Sequence, residues 1–247
     1  MQPLAGMGGY LGPVAASMPI FPLNTVAFPG MTVPLHIFEE RYRAMVQHLL
    51  AIPDPAERLF GVVAIREGYE IGGHEARSMY RTGCVVQLGE VEEYDDGRYD
   101  IAAVGRHRMR VVATDAEGPF LRAEVEDLDD TREPEVETAR EAAHALATFA
   151  DYRDRVGELR GGDVMTGSLP RDPELLSYAL AATCSLTLRE RQQLLESPTT
   201  LERLGLLRRL MRQEMRAMAA VPSLPATEVA RSRAGTARRP SPASPGA

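Results

Sequence analysis

The sequence predicts an α+β protein in which short strands come first and helices follow. Three patterns in the 247 residues support this fold class. Residues 19–129 contain short apolar or alternating segments separated by turn residues, as strands do. Within them, residues 38–49 repeat apolar side chains every three to four positions, which predicts one inserted helix. Residues 130–220 continue with this helical period, so we expect a group of helices there.

The first predicted strands are interrupted by prolines. The segment Pro19 to Leu23 is apolar but contains two prolines, which suits an edge strand because proline has no N–H to donate. A Pro29–Gly30 turn leads to a second extended segment, Thr32 to His36. The inserted helix comes next, and Pro53 ends it. The apolar positions of that helix are Phe38, Tyr42, Met45, Val46 and Leu49.

Further strands complete the first part of the chain. Residues 60–65 form a continuous apolar run, which predicts a buried strand. The segments 84–94 and 98–112 flank Asp95-Asp96-Gly97, a sequence typical of a hairpin turn. Residues 120–128 alternate apolar with charged side chains, which predicts a strand with one buried face.

Four helices are predicted in the second part of the chain. Pro134 lies near the start of a long helix that runs to about residue 159. Shorter helices are expected at 174–185 and, after the cap Thr187, through residue 196. A last helix begins at Thr199 or Thr200 and carries a single apolar stripe. Its members are Leu201, Leu204, Leu207, Leu210, Met211, Met215 and Met218, as expected for a helical bundle.

These patterns divide the chain into four parts. Residues 1–17 carry no charge and are rich in Gly, Ala and Pro, which predicts a flexible extension, and Met18 is an alternative start. Residues 18–130 form the strand-rich domain, and residues 131–220 form the helical bundle. Residues 221–247 contain five prolines and four arginines, which predicts a disordered basic tail.

The composition excludes several kinds of catalysis. The net charge is −7, and all 28 basic residues are arginine. Without lysine, the chain has neither a Walker A phosphate loop nor a Ser–Lys dyad. Cys84 and Cys184 are isolated, so we expect buried free thiols and no metal site, cofactor or catalytic residue. No stretch is apolar enough to span a membrane and no signal peptide is evident, so a cytoplasmic location is expected.

Arginines cluster on one face of a predicted strand, at Arg106, Arg108 and Arg110. Such a face can contact phosphate, so an RNA-binding protein is the alternative function, with a small-molecule-binding or hydrolytic protein third. The favoured interpretation is a solvated face that pairs with nearby acids. Those acids are Glu90, Glu92 and Glu93. His107 lies on the opposite, apolar face of the same strand, so we expect it to point toward the core.

The most specific motif lies between Pro19 and Tyr42. It contains, in order, Phe21-Pro22-Leu23, Phe28-Pro29-Gly30 and the segment Pro34-Leu35-His36-Ile37-Phe38-Glu39-Glu40-Arg41-Tyr42. This order resembles the opening of the N-terminal substrate-binding domain of the Lon protease family. Val104-Gly105 with Arg108, and the helical segments within 176–214, resemble later parts of that domain.

The resemblance implies a PUA-like small β barrel with one inserted helix, followed by a C-terminal helical bundle. It implies a non-catalytic module that stands without the ATPase and protease domains. Its expected partners are protein clients that are unfolded or carry a degradation signal, with a separate protease as an optional partner and no membrane. Client binding is expected at Phe28, Pro29, Met31 and Phe38, because an apolar turn lies there beside a predicted sheet edge.

Overall fold

The computed structural model describes residues 16–66, 79–131, 133–160 and 168–220. The predicted tail at 221–247 lies outside the described residues, as do residues 1–15 of the predicted extension. Residues 16 and 17 belong to the first strand rather than to an extension, because they pair with Val125 and Glu124 of a later strand. None of the described helices is both long and apolar enough to cross a membrane.

Six strands pair into one mixed sheet that curves into a ring. They are β1 (Ala16–Leu23), β2 (Thr32–Ile37), β3 (Leu59–Ile65), β4 (Met79–Glu93), β5 (Tyr99–Asp115) and β6 (Arg122–Leu128). Their order is β2-β5-β4-β3-β1-β6, and β6 pairs again with β5. The length of β5 permits this closure, since its first half pairs with β2 and its second half with β6. The predicted α+β class, with strands before helices, is confirmed.

Strand β1 lies inside the sheet, so the prediction of an edge strand there is wrong. Its residues 16–19 pair with β6, and its residues 20–23 pair with the parallel strand β3. The prolines are tolerated because successive backbone N–H groups point to opposite sides of a strand. Ile20 donates its N–H to the Leu121 carbonyl at 2.9 Å. The nitrogen of Pro22 therefore points toward β6 at a position where β1 and β6 no longer pair. The nitrogen of Pro19 points toward β3 at a position where the pairing of β1 with β3 has not yet begun.

One helix, α1 (Glu40–Leu50), is inserted between β2 and β3. Its buried residues are Tyr42, Met45, Val46 and Leu49, which pack against one part of the ring as the helical period predicts. Phe38 precedes the helix and is 61% exposed. Its predicted place in the buried stripe is therefore wrong, because the backbone is not yet helical at that position.

The β4–β5 hairpin forms at its predicted turn. Gly97 has a φ angle of 77°, in the left-handed region that glycine adopts without strain. The Gly97 N–H donates to the Tyr94 carbonyl at 2.8 Å, and the Tyr94 N–H donates to the Arg98 carbonyl at 2.9 Å. The Tyr94 hydroxyl also donates to Asp100, and this bond together with His36 holds the pKa of Asp100 below its usual value.

The helical part contains α2 (Glu135–Arg160), α3 (Pro173–Thr183), α4 (Leu188–Glu196) and α5 (Thr200–Ala220). Thr187 caps α4 in a capping box with Glu190. Thr199 caps α5 by accepting the Glu202 N–H at 3.1 Å. The apolar stripe of α5 faces the interior. Leu204, Leu207, Leu210 and Met211 are buried, and Met215 and Met218 pack partly buried against the same cluster.

The strands and the helices share a hydrophobic core where they meet. Val26, Phe28 and Ala64 of the strand-rich part belong to the same buried cluster as Tyr178 and Leu194 of the helical part. Two further clusters lie within the strand-rich part. The contact between the two parts is therefore made by core side chains rather than by surface residues.

A buried ionic cluster fixes the same junction. Asp130 accepts hydrogen bonds from Arg108 and, at 2.6 Å, from Arg203. Arg108 also donates to the Ser197 carbonyl at 2.7 Å, and the Arg203 guanidinium lies 4.0 Å from the centroid of the Tyr178 ring. Arg108 is only 4% exposed. The predicted solvated arginine face is therefore wrong at its centre, because the helices cover this part of the sheet.

Candidate protein-binding site

Two of the four predicted binding residues lie in the interior. Phe28 is 1% exposed, and its ring centroid lies 6.1 Å from that of Tyr178 in α3. Pro29 is also buried. A bound peptide cannot reach either side chain in this arrangement. We therefore correct the assignment of Phe28 and Pro29, which close the junction between strands and helices.

The turn that follows them packs against α3. Gly30 has a φ angle of 76°, and the Leu175 Cδ2 atom lies 3.3 Å from the position that a Cβ atom would take on Gly30. Met31 is half-buried against the helical core. Leu175 itself is 42% exposed. The turn thus forms part of an apolar surface together with the start of α3, rather than projecting alone into solvent.

Phe38 is the predicted binding residue that is most exposed, and it follows the open edge of β2. This strand pairs only with β5, so its other edge has no neighbour among the described residues. The Met31 carbonyl accepts the Gly105 N–H of β5, at 2.9 Å. By alternation, Pro34 faces the open edge and removes the central N–H donor there. The edge is therefore poorly suited to pairing with an added strand.

An apolar groove of about 430 Å³ lies between α2 and the start of α3. It is lined by Ala139, Ala142, Ala143 and Leu146 of α2, by Leu169, Pro170 and Arg171 of the segment before α3, and by Pro173 and Leu176 of α3. The alanines leave space because their side chains are short. Leu146 is 39% exposed on one wall, whereas Leu176 is buried and forms the floor. An extended chain with apolar side chains can lie in such a groove and remove its walls from water.

A second pocket, of about 570 Å³, adjoins the apolar groove and shares Ala139 and Pro173 with it. Five carboxylate residues line this acidic pocket: Asp130, Glu133, Asp172, Glu135 and Glu174. Three of them have structural roles. Asp130 belongs to the ionic cluster, Glu133 accepts a hydrogen bond from the Leu201 N–H, and Asp172 caps the start of α3. Glu174 differs from these. Burial, and then the charge of Asp130, raise its pKa above the ordinary value.

The other predicted features lie away from the groove. Arg106 is exposed and bonds to Gln87, so only the flanking arginines of the predicted phosphate-binding face reach solvent. His107 is exposed and lies 2.9 Å from Asp127, so its predicted position toward the core is wrong. A β-bulge between Val85 and Val86 shifts the strand pairing at this point and breaks the alternation of faces.

The two cysteines are free and buried, as predicted. Burial raises the pKa of Cys84 and of Cys184 to about 12. Because the thiolate is the reactive form of cysteine, neither thiol is poised for nucleophilic chemistry.

Comparison with known proteins decides the family. Residues 17–213 match the family described as the ATP-dependent protease La (LON) substrate-binding domain. This chain belongs to the Lon substrate-binding domain family. It is 28% identical over 200 residues to Lon protease 2 of Herpetosiphon aurantiacus, which covers 80% of this chain. It is 29% identical over 217 residues to the Lon protease of Desulfovibrio desulfuricans, which covers 85% of this chain.

The match to these Lon proteases is confined to one region. The chain spans 24% of the length of each of these two relatives. Solved structures show the same fold. A Lon N-terminal domain protein from Xanthomonas campestris gives a TM-score of 0.55 at 22% identity, covering 78% of this chain and 96% of that one. The N-terminal domain of a Mycobacterium avium complex Lon protease gives 0.58 at 19% identity, covering 80% and 98%.

The sequence pattern of this Lon-family domain does not predict the apolar groove, although it contains one signal of it. Ala139, Ala142, Ala143 and Leu146 follow a spacing of three, one and three residues along α2, which places them on one helical face. That face alone does not show whether a neighbouring helix covers it. Whether it is open depends on how α2 and α3 diverge, which is a property of the packed fold.

Proposed function

We propose that this protein binds unfolded segments of other proteins without transforming them, and that such segments lie in the apolar groove. The groove supports this proposal because it leaves aliphatic side chains, Leu146 among them, open to solvent within one concave surface, and contiguous exposed apolar surface marks interaction sites. The family description, a substrate-binding domain, supports the same role. We further infer that the ring of strands is a PUA-like barrel, and that the chain acts as an adaptor that presents clients to a separate protease.

The groove is a better candidate than the edge of β2. A peptide that adds to a sheet edge needs regular N–H donors, and Pro34 interrupts them. The groove instead offers side-chain contacts that tolerate many sequences, as recognition of unfolded clients requires. Met31 and Phe38 remain proposed as secondary contacts, because both keep part of their apolar surface accessible.

The proposed lack of ATPase and Ser–Lys peptidase activity rests on the chemistry that lysine would supply. A phosphate clamp and a Ser–Lys dyad both need an ammonium group, and the 247 residues contain no lysine. We therefore expect purified protein to hydrolyse neither ATP nor casein. An ATPase activity that follows the protein through size-exclusion chromatography would overturn this part of the proposal.

Binding is tested with unfolded and folded forms of one protein. Ribonuclease A that is reduced, S-alkylated and labelled with fluorescein should bind the full chain, as measured by fluorescence anisotropy, whereas native ribonuclease A should not. Leu146→Ser should weaken the affinity about tenfold, because the contact of one leucine contributes about 1.5 kcal/mol or more. Val136→Ser is the matched control, since Val136 lies on the same helix, is 82% exposed and does not line the groove. Equal affinities for these two variants would contradict the proposed site.

A further inference from the structure

The apolar groove opens at one end into the acidic pocket, so a bound segment meets two kinds of surface in a fixed order. Leu146 and Ala143 lie in the apolar groove, whereas Glu135 lies in the acidic pocket near the start of α2. Among the described residues, neither Glu135 nor Glu174 has an ion-pair partner. A segment that fits both surfaces therefore carries apolar residues at one end and arginine or lysine at the other.

The sequence after α5 has this pattern. Residues 221–247 contain four arginines and one glutamate, a net charge of +3 from 4 − 1. Leu224 and Val229 come first, and Arg231 and Arg233 follow them. The apolar residues therefore precede the basic ones by a few positions.

The direction of α5 sets the order in which its continuation meets the groove. Arg208 of α5 lies 2.5 Å from Glu141 of α2, and Thr200 at the start of α5 lines the acidic pocket. The end of α5 is thus distant from the acidic pocket by roughly 30 Å, the length of 21 helical residues. A chain that returns from Ala220 along α2 meets the apolar groove before the acidic pocket, and this matches the order in the sequence.

The length also suffices. Val229 and Arg231 are nine and eleven residues beyond Ala220, so an extended chain carries them at most about 32 and 40 Å. A tethered segment has an effective concentration of roughly millimolar near its site. Weak contacts are then enough to hold it, and Arg171 is the one basic residue among the described groove lining that opposes it.

We propose that residues 221–233 bind in the groove of their own chain, with Leu224 or Val229 in the apolar groove and Arg231 and Arg233 at the acidic pocket. The proposal rests on the proposed function, because unfolded clients then compete with this segment for the same surface. It also defines the preferred client segment as apolar residues followed by basic ones.

The test measures a distance within the full chain. Spin labels on Ala147→Cys and Ser232→Cys report the separation of α2 from the basic segment by double electron–electron resonance. The native thiols are buried, so we expect the spin label to react only with the two introduced cysteines under native conditions. We expect a narrow distribution centred at about 20–30 Å, since Ala147 and Glu135 are twelve helical residues apart. The double change Arg231→Glu and Arg233→Glu should replace it with a broad one.

Two controls complete the experiment. The double change Arg238→Glu and Arg239→Glu alters the charge equally but lies beyond the groove, so the narrow distribution should persist. A mixture of two singly labelled chains should give no short distance, and a short distance there would show binding between chains and overturn the proposal. Identical distributions for the unchanged and both charge-reversed tails would also overturn it.

The affinity for unfolded ribonuclease A separates this inference from the proposed function. Reversal of Arg231 and Arg233 should raise that affinity, by at least about threefold, because the competing segment is released. If the affinity depends on Leu146 but the tail distances do not change, only the inference about the tail fails. If the tail distances change as expected but the affinity does not depend on Leu146, the proposed client site fails.

Discussion

One face of helix α3 is covered by other elements and the other face lines an open groove, although both faces carry apolar residues. On one side Tyr178 contacts Phe28 and lies beneath Arg203, so strands, helices and the ionic cluster close the junction completely. On the other side Pro173 and Leu176 face a part of α2 that carries mainly alanines, and a groove remains open. The size of a side chain and the residue that packs against it, more than its hydrophobicity, therefore decide which surface of α3 is core and which is available for binding.

The junction should respond most strongly to loss of the charge at Asp130. Asp130→Asn leaves two buried guanidinium groups without their carboxylate, so we expect a loss of about 3–5 kcal/mol in the free energy of unfolding. Denaturation by urea measures it. The adjacent and exposed Asp129→Asn is the control, and its effect should stay within about 0.5 kcal/mol. Similar stabilities for these two variants would show that the cluster does not fix the junction.

Phe28 and Phe38 distinguish a core aromatic residue from a surface one. Phe28→Ala should lower the free energy of unfolding by about 3–5 kcal/mol, because it empties a buried site between β strands and α3. Phe38→Ala should change it by less than about 0.5 kcal/mol, since that ring is mostly exposed. Urea denaturation of both variants measures these changes in the free energy of unfolding. A Phe28→Ala variant as stable as the unchanged protein would show that Phe28 does not hold the junction together.

The closed junction also predicts how trypsin cuts the chain. Thr131 donates its N–H to the Pro198 carbonyl at 3.2 Å, and Glu133 accepts the Leu201 N–H at 2.8 Å. Cleavage at Arg132, between these anchored residues, should be at least about tenfold slower than cleavage at Arg238. Mass spectrometry of a time course measures both rates. Early cleavage at Arg132 would indicate two independent domains.

The two buried thiols give the prediction with the smallest expected effect on stability. Their reactivity measures how readily the surrounding cores open. At pH 8 neither Cys84 nor Cys184 should react with a thiol reagent until urea unfolds the chain, because burial disfavours the thiolate. Each thiol has a pKa of about 12 in the folded chain, which is higher than its pKa in the unfolded chain. The stability that comes from keeping the thiols protonated is therefore fully present below the unfolded pKa. It declines as the pH rises toward 12. Rapid labelling of either thiol in the native protein would show that its core opens readily.

Features set by local sequence were predictable, and features set by distant partners were not. The Asp95-Asp96-Gly97 turn and the Thr187 cap depend on a few neighbouring residues, and both form where the sequence indicates. The position of β1 between β3 and β6 depends on strands about 40 and 105 residues away. Burial of Arg108 and exposure of Ala139 and Ala143 in α2 depend on where helices pack, so the sequence pattern assigned the first incorrectly and missed the second.

Hydrogen exchange of the full chain shows whether unfolded clients bind in the groove or at the edge of β2. With saturating unfolded ribonuclease A, we expect slower exchange in residues 139–146 and 168–176, which contain the groove lining, and unchanged exchange in residues 32–38 of the β2 edge. Protection of 32–38 with no change at the groove would contradict this expectation and assign client binding to the sheet edge.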